Sequence, residues 1–314
     1  MTVRPAEAPL QVVLAGPRSF CAGVERAIEI VHRALERFGT PVYVRRQIVH
    51  NSHVVARLER AGAVFVEELD EVPEGATVVL SAHGVTPVVR ADAAGRRLHV
   101  IDATCPLVAK VHAEARRFSR QGRHVLLIGH RGHDEVEGTL GEVPGTHLLE
   151  SEADVQALSL DAGAEVGLLT QTTLAPDEVA PIAEAVRARF AGTAVPAASD
   201  ICFATQNRQE AVRAVAAECE VVLVVGSANS SNSNRLVEVA ARAGARAHLV
   251  EDAAAVDPRW LDGVRRVGLS AGASTPETLV SGVVDRLRSL GPVEVTTRDV
   301  VDEDVFFQLP PEVR

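Results

Sequence analysis

Three cysteines of this 314-residue chain stand in the same local setting, and the setting suits a thiolate. Cys21 lies on a turn between the apolar run 11–15 and a helix-like segment that starts near Val24. Cys105 and Cys202 also lead into helix-like stretches. A helix N-terminus favours negative charge and metal ligation by sulfur, because its N–H groups and dipole face the thiolate. Three such cysteines predict one shared ligand held by three parts of the chain.

The number of cysteines in register limits which metal centre they can bind. A structural zinc site wants four protein ligands, and no fourth ligand stands in register with these three. An iron–sulfur cube with three thiolates and one open iron fits better, because the open iron can bind a substrate while the cluster supplies electrons. The fourth cysteine, Cys219, falls in the helix-like stretch 210–220. We interpret it as a small buried hydrophobe.

Polar residues follow the cysteines at repeated distances, which indicates an internal repeat. One set comes 28 or 29 residues after the cysteines and consists of His50, His133 and Ser230. A second set comes 62 to 72 residues after them and consists of His83, Thr172 and Ser274. Both sets lie where strands are predicted to end, and open α/β sheets bind ligands at the carboxyl ends of their strands. The predicted site is the centre of three similar units.

The elements that must position these residues alternate along the chain. Short β-branched runs alternate with amphipathic helical patterns, which is typical of α/β units on largely parallel sheets. The predicted strands are 42–44, 78–80, 125–128, 166–169, 221–225 and 266–269. We predict three α/β domains, 22–104, 105–198 and 199–287, with the terminal segments 1–21 and 288–314 packing on them.

The run of serine and asparagine at 229–234 is a candidate anion-binding loop. An ordinary solvated loop has the same composition. This run, however, follows the predicted strand 221–225 and precedes a helix-like stretch, so hydroxyls, amides and helix N–H groups can face an anion there. His50, His83 and His133 are candidate anion-binding residues because they also lie where predicted strands lead into loops. The other histidines that we weighed are assigned no role: His32, His99, His112, His124, His147 and His248.

Composition excludes several classes of protein. With 46% hydrophobic residues the chain can bury a large core, yet no apolar run approaches the roughly 18 residues of a membrane helix. Residues 1–10 lack the apolar segment of a signal peptide, which predicts a cytoplasmic protein with no membrane partner. A net charge of −10 and few aromatic residues argue against a nucleic-acid partner. No glycine-rich nucleotide fingerprint occurs.

Long motifs run in order along nearly the whole chain. They include FCAGVERA at 20–27, DATCPLV at 102–108, GHRGHDEVEGT at 129–139, DICFATQNRQ at 200–209 and GSANSSNSNRL at 226–236. Shorter ones are VHN at 49–51, SAHGV at 81–85, TQTTL at 170–174 and AGAS at 271–274. This set closely resembles the 4-hydroxy-3-methylbut-2-enyl diphosphate reductases, the IspH or LytB family. The resemblance implies a trefoil of three α/β domains around a central [4Fe–4S] cluster that Cys21, Cys105 and Cys202 bind.

The resemblance also implies an activity. Family members remove the C4 hydroxyl of (E)-4-hydroxy-3-methylbut-2-enyl diphosphate with two electrons and two protons. The products are isopentenyl and dimethylallyl diphosphates, at the end of the non-mevalonate isoprenoid pathway, and ferredoxin or flavodoxin is the electron donor that the family suggests. The implied substrate-binding residues are His50, His83, His133, Thr172, Ser230, Ser231, Asn232 and Ser274. The implied catalytic residues are Glu135, Thr172 and His133, with Glu135 and Thr172 delivering the proton.

A second class of function stays open beside this one. A non-redox protein could bind a diphosphate ester or an RNA and use the cluster only as a structural staple. Reduction of the allylic diphosphate with an artificial electron donor would separate the two classes.

Overall fold

Strands and helices alternate along residues 8–314, the part of the chain that the structure, a computed structural model, describes. Residues 1–7 of the predicted terminal segment 1–21 lie outside that range. The described strands are β1 (Leu10–Gly16), β2 (Val42–Arg45), β3 (Ala63–Val66), β4 (Thr77–Leu80), β5 (His99–Asp102), β6 (His124–Ile128), β7 (His147–Leu149), β8 (Val166–Thr170), β9 (Val221–Val225), β10 (Arg246–Val250), β11 (Arg266–Ala271) and β12 (Val293–Asp299). The helices are α1 (Ala22–Phe38), α2 (Ser52–Arg60), α3 (Pro87–Gly95), α4 (Pro106–Arg120), α5 (Asp134–Glu142), α6 (Glu152–Ala157), α7 (Pro176–Arg189), α8 (Phe203–Ala216), α9 (Ser231–Arg242) and α10 (Glu277–Ser289).

The described strands form three sheets, and the paired strands within each sheet run parallel. The strand orders are β10-β9-β11-β1-β12, β3-β2-β4-β5 and β7-β6-β8. Parallel neighbours need a crossover connection, which the intervening helices supply. The predicted α/β class with parallel sheets is therefore confirmed.

The described chain divides into two compact units. The first unit contains residues 8–22, His50–Val54 and Phe203–Phe306, and includes the five-stranded sheet. The second unit contains Gly23–Val49, Val55–Cys202 and Phe307–Arg314, and includes the other two sheets. The boundaries 22–104, 105–198 and 199–287 stay a prediction.

In the first unit, β9, an interior strand of the five-stranded sheet, is buried on both faces. Side chains of β9 alternate between two hydrophobic clusters: Val221, Leu223 and Val225 pack with α10, whereas Val222 and Val224 pack with α8 and α9. A continuous run of valines and leucine suits a strand that is covered on both faces. The carboxyl end of β9 then leads into the serine- and asparagine-rich loop.

In the second unit, β6 follows the same rule. Leu126 and Ile128 pack against α7, whereas Val125 and Leu127 pack against α4 and α5. Strands β6 and β8 are largely buried, so the loops at their carboxyl ends start from packed strands. Those loops contain His133 and Thr172.

Cys219 is buried as predicted, but the prediction that it lies in a helix is wrong. Helix α8 ends at Ala216, and Cys219 lies in the turn before β9. The N–H groups of Ala217 and Glu218 close the last turn of the helix, after which the chain must extend to pair as β9. Burial raises the pKa of the Cys219 thiol to about 12, so this cysteine stays protonated.

Within residues 8–314, the helices are either too short or too polar to cross a lipid bilayer.

Candidate functional site

Each of the three predicted ligand cysteines immediately precedes a helix. Cys21 stands before α1, Cys105 caps the N-terminus of α4, and Cys202 stands before α8. All three are half-buried. The local placement predicted from the sequence is therefore found at each cysteine.

In the second unit, the backbone joins two of these cysteines to the loops of the second polar set. The N–H of Cys105 donates to the Ala82 carbonyl at 2.9 Å, one residue before His83. The N–H of Cys202 donates to the Thr172 carbonyl at 3.0 Å. Each cysteine is thus held within hydrogen-bonding reach of a loop that carries a predicted substrate residue.

In the first unit, the third cysteine makes the equivalent bond. The N–H of Cys21 donates to the Ala273 carbonyl at 3.1 Å, one residue before Ser274. The Ser274 hydroxyl donates to the His50 carbonyl at 3.0 Å. Cys21 therefore lies beside a segment that brings together two predicted substrate residues.

Glu135 is a buried carboxyl with an unusual pKa. Its side chain lies in the first turn of α5 and the residue is only 2% exposed. Both carboxyl oxygens accept from Thr172, Oε1 from the N–H at 2.7 Å and Oε2 from the hydroxyl at 2.9 Å. Desolvation raises the pKa of Glu135 to about 7, although the bonds from Thr172 oppose the shift. A carboxyl with this pKa can hold a proton at neutral pH and release it.

The two acids that flank Glu135 on α5 have a different environment. Arg46, at the end of β2, binds both Asp134 and Glu137, the latter at 2.8 Å. Both of these side chains are therefore paired with a guanidinium. Of the three acids in this turn, Glu135 is the one that is buried. Arg46 was not singled out from the sequence, where its only signal is its place two residues after the predicted strand 42–44.

His83 and His133 lie side by side in the second unit. Their rings meet edge to face, with centroids 5.8 Å apart, and His83 Nδ1 lies 4.0 Å from Asp134. His133 caps α5 through Nδ1, which accepts from the Glu135 N–H at 3.2 Å. Because Nδ1 is an acceptor, the ring proton of neutral His133 sits on Nε2. Nε2–H is then the donor of this ring.

A buried histidine supports the loop of His83 and the helix of Glu135 from behind. His112 of α4 is 2% exposed, and its Nδ1 pairs with Glu142 at 3.0 Å. Its ring packs so closely on Gly84 and Gly138 that an added Cβ would come within 2.8 and 3.3 Å of it. Burial lowers the pKa of His112, which keeps the ring neutral. No role was assigned to His112 from the sequence, and the structure shows that it packs behind the site.

In the first unit, Ser230 has a hydroxyl proton left to donate. It caps α9, and its Oγ accepts from the Ser233 N–H at 3.3 Å and from the Ser233 hydroxyl at 3.1 Å. With both acceptor positions used, the Ser230 proton is directed elsewhere. Ser231 opens the same helix and is half-buried. Oriented hydroxyls and N–H groups at a helix N-terminus suit a phosphate.

Two asparagines of the first unit offer donors of the same kind. Asn232 Oδ1 accepts from the Ala273 N–H at 2.8 Å, while its buried Nδ2 has no hydrogen-bond partner among the described residues. Asn51 caps α2 through Oδ1, which accepts from Val54, and its buried Nδ2 is likewise unpartnered within the described chain. Buried unpaired N–H groups are costly, so each points to an absent acceptor. The sequence analysis left Asn51 unassigned although it adjoins His50.

These features define a class: an α/β protein of parallel sheets with three cysteines suited to metal ligation, a buried carboxyl with a raised pKa, and strand-end loops suited to an anion. The described residues fit an iron–sulfur centre in the chemistry of their donors, since half-buried thiols at helix N-termini are its usual ligands. The model of the family described as LytB protein matches residues 12–288, and the chain belongs to that family.

Full-length relatives are similar over almost all of this chain. A 4-hydroxy-3-methylbut-2-enyl diphosphate reductase of Bordetella pertussis is 55% identical over 311 residues, which cover 99% of this chain and 96% of the relative. A reductase of the same name from Phenylobacterium zucineum is 56% identical over 308 residues, 98% of either chain. One from Mycolicibacterium paratuberculosis is 57% identical over 306 residues, 97% of this chain and 92% of the relative.

Solved structures agree with this assignment. The E-1-hydroxy-2-methyl-but-2-enyl-4-diphosphate reductase from Plasmodium falciparum aligns with a TM-score of 0.94 at 36% identity, covering 97% of each chain. A structure of (E)-4-hydroxy-3-methyl-but-2-enyl diphosphate reductase, described as the terminal enzyme of the non-mevalonate pathway, aligns at 0.64 with 33% identity and covers 89% of this chain and 99% of its own. The LytB family assignment therefore has both sequence and structural support.

Proposed function

We infer that this chain is an oxidoreductase that reduces (E)-4-hydroxy-3-methylbut-2-enyl diphosphate by removing its C4 hydroxyl. The reaction consumes two electrons and two protons and yields isopentenyl and dimethylallyl diphosphates, at the end of the non-mevalonate isoprenoid pathway. Family membership and full-length similarity to named reductases support this function. Those relatives give no support to the alternative of a non-redox binding protein.

We propose that Cys21, Cys105 and Cys202 bind one [4Fe–4S] cluster with one open iron. When bound, such a cluster supplies electrons and a Lewis-acidic iron. The recurrent cysteine position before a helix supports this ligand set. Electrons would come from a small redox protein, a ferredoxin or flavodoxin.

The substrate's diphosphate would be bound by neutral donors and histidines rather than by a cluster of arginines. The proposed ligands are His50, His83, His133, Ser230, Ser231, Asn232 and Ser274. Support comes from the unused Ser230 proton, the unpartnered Nδ2 of Asn232 and the ring proton of His133. Charge-assisted hydrogen bonds from such donors bind an anion strongly in a dry site.

Glu135, Thr172 and His133 would manage the proton. Protonated Glu135 can donate from Oε2 to Thr172 Oγ1, and the Thr172 hydroxyl can pass its own proton to the departing hydroxyl group of the substrate. That group then leaves as water. His133 Nε2–H would orient the substrate beside this pair.

One observation carries the proposal: the Thr172 carbonyl binds Cys202 while its N–H and hydroxyl both bind the buried Glu135 carboxyl. A proposed cluster ligand and a carboxyl that holds a proton near neutral pH are thus joined through a single residue. This arrangement suits a reaction that adds electrons and protons at one carbon–oxygen bond.

Anaerobic turnover tests the function. Purified protein is mixed with the allylic diphosphate and a chemical reductant such as dithionite with a viologen mediator, and products are separated by chromatography. We expect both isomeric diphosphates, none without reductant, and none from Cys202→Ser. Tight binding of the substrate by iron-loaded protein without any reduction would contradict the proposal and favour the non-redox class.

A further inference from the structure

Lys110 is the only lysine in this chain. Every other member of its 32 lysine and arginine residues is an arginine. Lys110 lies on α4 in the second unit, five positions after Cys105. A chain that otherwise uses arginine for every basic side chain has kept one ammonium group here, so the contacts of that group are informative.

The Lys110 ammonium meets three acceptors of a single loop. Nζ donates to the carbonyls of Ala198 and Ser199, each at 2.8 Å, and to Asp200 Oδ1 at 3.3 Å. An ammonium has three N–H donors on one nitrogen, which matches three acceptors that converge on one point. A guanidinium spreads its donors over a planar fork and cannot make this set of contacts. The geometry therefore explains why lysine stands here.

The loop that Lys110 binds leads directly to Cys202. Asp200 is buried, and its second oxygen accepts from the Thr170 N–H at 3.1 Å. Two residues on, the N–H of Cys202 binds the Thr172 carbonyl. Residues 198–202 are thus tied to α4 on one side and to the carboxyl end of β8 on the other.

We propose that Lys110 is a positioning residue that fixes the Cys202 loop against the helix that Cys105 begins. It sets the separation of two cysteines in advance of cluster binding, and it deepens the proposed function because it rests on both cysteines being cluster ligands. Without the ammonium, the exposed carbonyls of Ala198 and Ser199 turn to water. The buried Asp200 carboxylate then loses its cation, which favours displacement of the loop.

The test compares Lys110→Met, Lys110→Arg and the control Arg120→Met with the wild-type chain, all purified anaerobically. Arg120 lies exposed at the end of the same helix, so its loss changes the charge of α4 without touching the loop. Two readouts are used: the rate of cluster loss to an iron chelator, followed by visible absorbance, and amide hydrogen exchange at Thr170 and Cys202.

Both Lys110 variants are expected to lose the cluster at least about tenfold faster than wild type, because one ligand loop opens more often. Exchange at Cys202 and Thr170 should rise in both, and Arg120→Met should match wild type. If Lys110→Met does not fold, Lys110→Arg decides, since it keeps the charge and changes only the donor geometry.

Wild-type rates of cluster loss and exchange in the Lys110 variants would overturn the proposal while leaving the proposed function intact. A wild-type chain that holds no iron would refute the proposed function and the cluster part of this inference. The exchange readout would then still support or overturn the tie between Lys110 and the Cys202 loop.

Discussion

At the scale of single residues, three acidic side chains that look alike in the sequence have different surroundings in the structure. Asp134, Glu135 and Glu137 share one turn of α5, yet two of them bind Arg46 and the third is buried with Thr172. Asp134 and Glu137 are paired with a guanidinium, whereas burial raises the pKa of Glu135 to about 7. This difference is what suits Glu135 alone to carry a proton for the proposed reaction.

Glu135→Gln tests that assignment. The amide keeps the shape of the side chain but cannot donate a carboxylic proton, so turnover should fall by at least about 100-fold. Substrate affinity and iron content should stay close to wild type. Single-turnover rates with pre-reduced protein measure the effect, and Glu137→Gln on the same turn is the control. Near-normal turnover of Glu135→Gln would remove Glu135 as the acid.

The pH dependence of turnover gives a second test of the same group. Because the acid form donates, activity should be full below the Glu135 pKa and should fall as pH rises through about 7. Glu137→Gln should keep this alkaline limb, and the residual activity of Glu135→Gln should lack it. An alkaline limb that survives in Glu135→Gln belongs to another group.

Asn232→Asp separates folding from anion binding at one side chain. A carboxylate can still accept from the Ala273 N–H, but it replaces the unpartnered Nδ2 donor with a negative charge. Diphosphate affinity should fall at least about 100-fold, because a charge-assisted hydrogen bond becomes a repulsion. Asn229→Asp adds the same charge at an exposed position of the loop and should cost far less. Equal losses in both variants, measured by calorimetry, would count against direct contact.

Sequence alone predicts these residues unevenly. The cysteines and strand-end histidines follow from repeat spacing, since position in an α/β unit already places a residue at the ligand edge. Glu135 comes only from the family resemblance, because burial and the bond to Thr172 join residues 37 positions apart. Arg46 was missed for the same reason, because its acidic partners lie on α5. Asn51 was missed because the burial of its unpartnered Nδ2 is visible only in the structure.

At the scale of elements, many of the candidate site residues lie at helix N-termini. Helices α8 and α9 begin at Phe203 and Ser231, directly after Cys202 and Ser230. A run of serine and asparagine predicts a loop, because their side chains compete with the helix for backbone hydrogen bonds. Here Ser230 uses that property to cap α9, and the next residues join the helix. The polar run is therefore both a helix start and the candidate anion loop.

Gly84→Ala tests the packing of α4 behind the site. Gly84 has φ of +81° and faces the His112 ring, whereas Gly122 has φ of +76° and open space around it. Both substitutions should cost about 1 kcal/mol of unfolding free energy for backbone strain. Gly84→Ala should cost about 1–3 kcal/mol more for the contact with His112. Urea unfolding of the two variants measures the difference, and equal losses would contradict the packing role.

At the scale of the whole molecule, the same local hydrogen bonds recur in both units. The loops that carry His83, Thr172 and Ser274 each begin with a backbone N–H that donates to a carbonyl near the end of an earlier strand. The bonds run from Ala82 to Ile48, from Gln171 to Ile128 and from Gly272 to Val225. The offsets in the sequence predicted this repeat. Strand β12 was not predicted, because its side chains are mostly exposed and polar, and only its pairing with β1 makes it a strand.

The central claim is that three cysteines bind one cluster and the fourth does not. The direct measurement is iron and sulfide per chain after anaerobic purification of wild type, Cys21→Ser, Cys105→Ser, Cys202→Ser and Cys219→Ser. Wild type and Cys219→Ser should each hold about four irons and four sulfides, since a cubane contains that number, while the other three lose most of both. One tightly bound zinc without sulfide in the wild-type chain, or full iron in any of those three variants, would contradict the account.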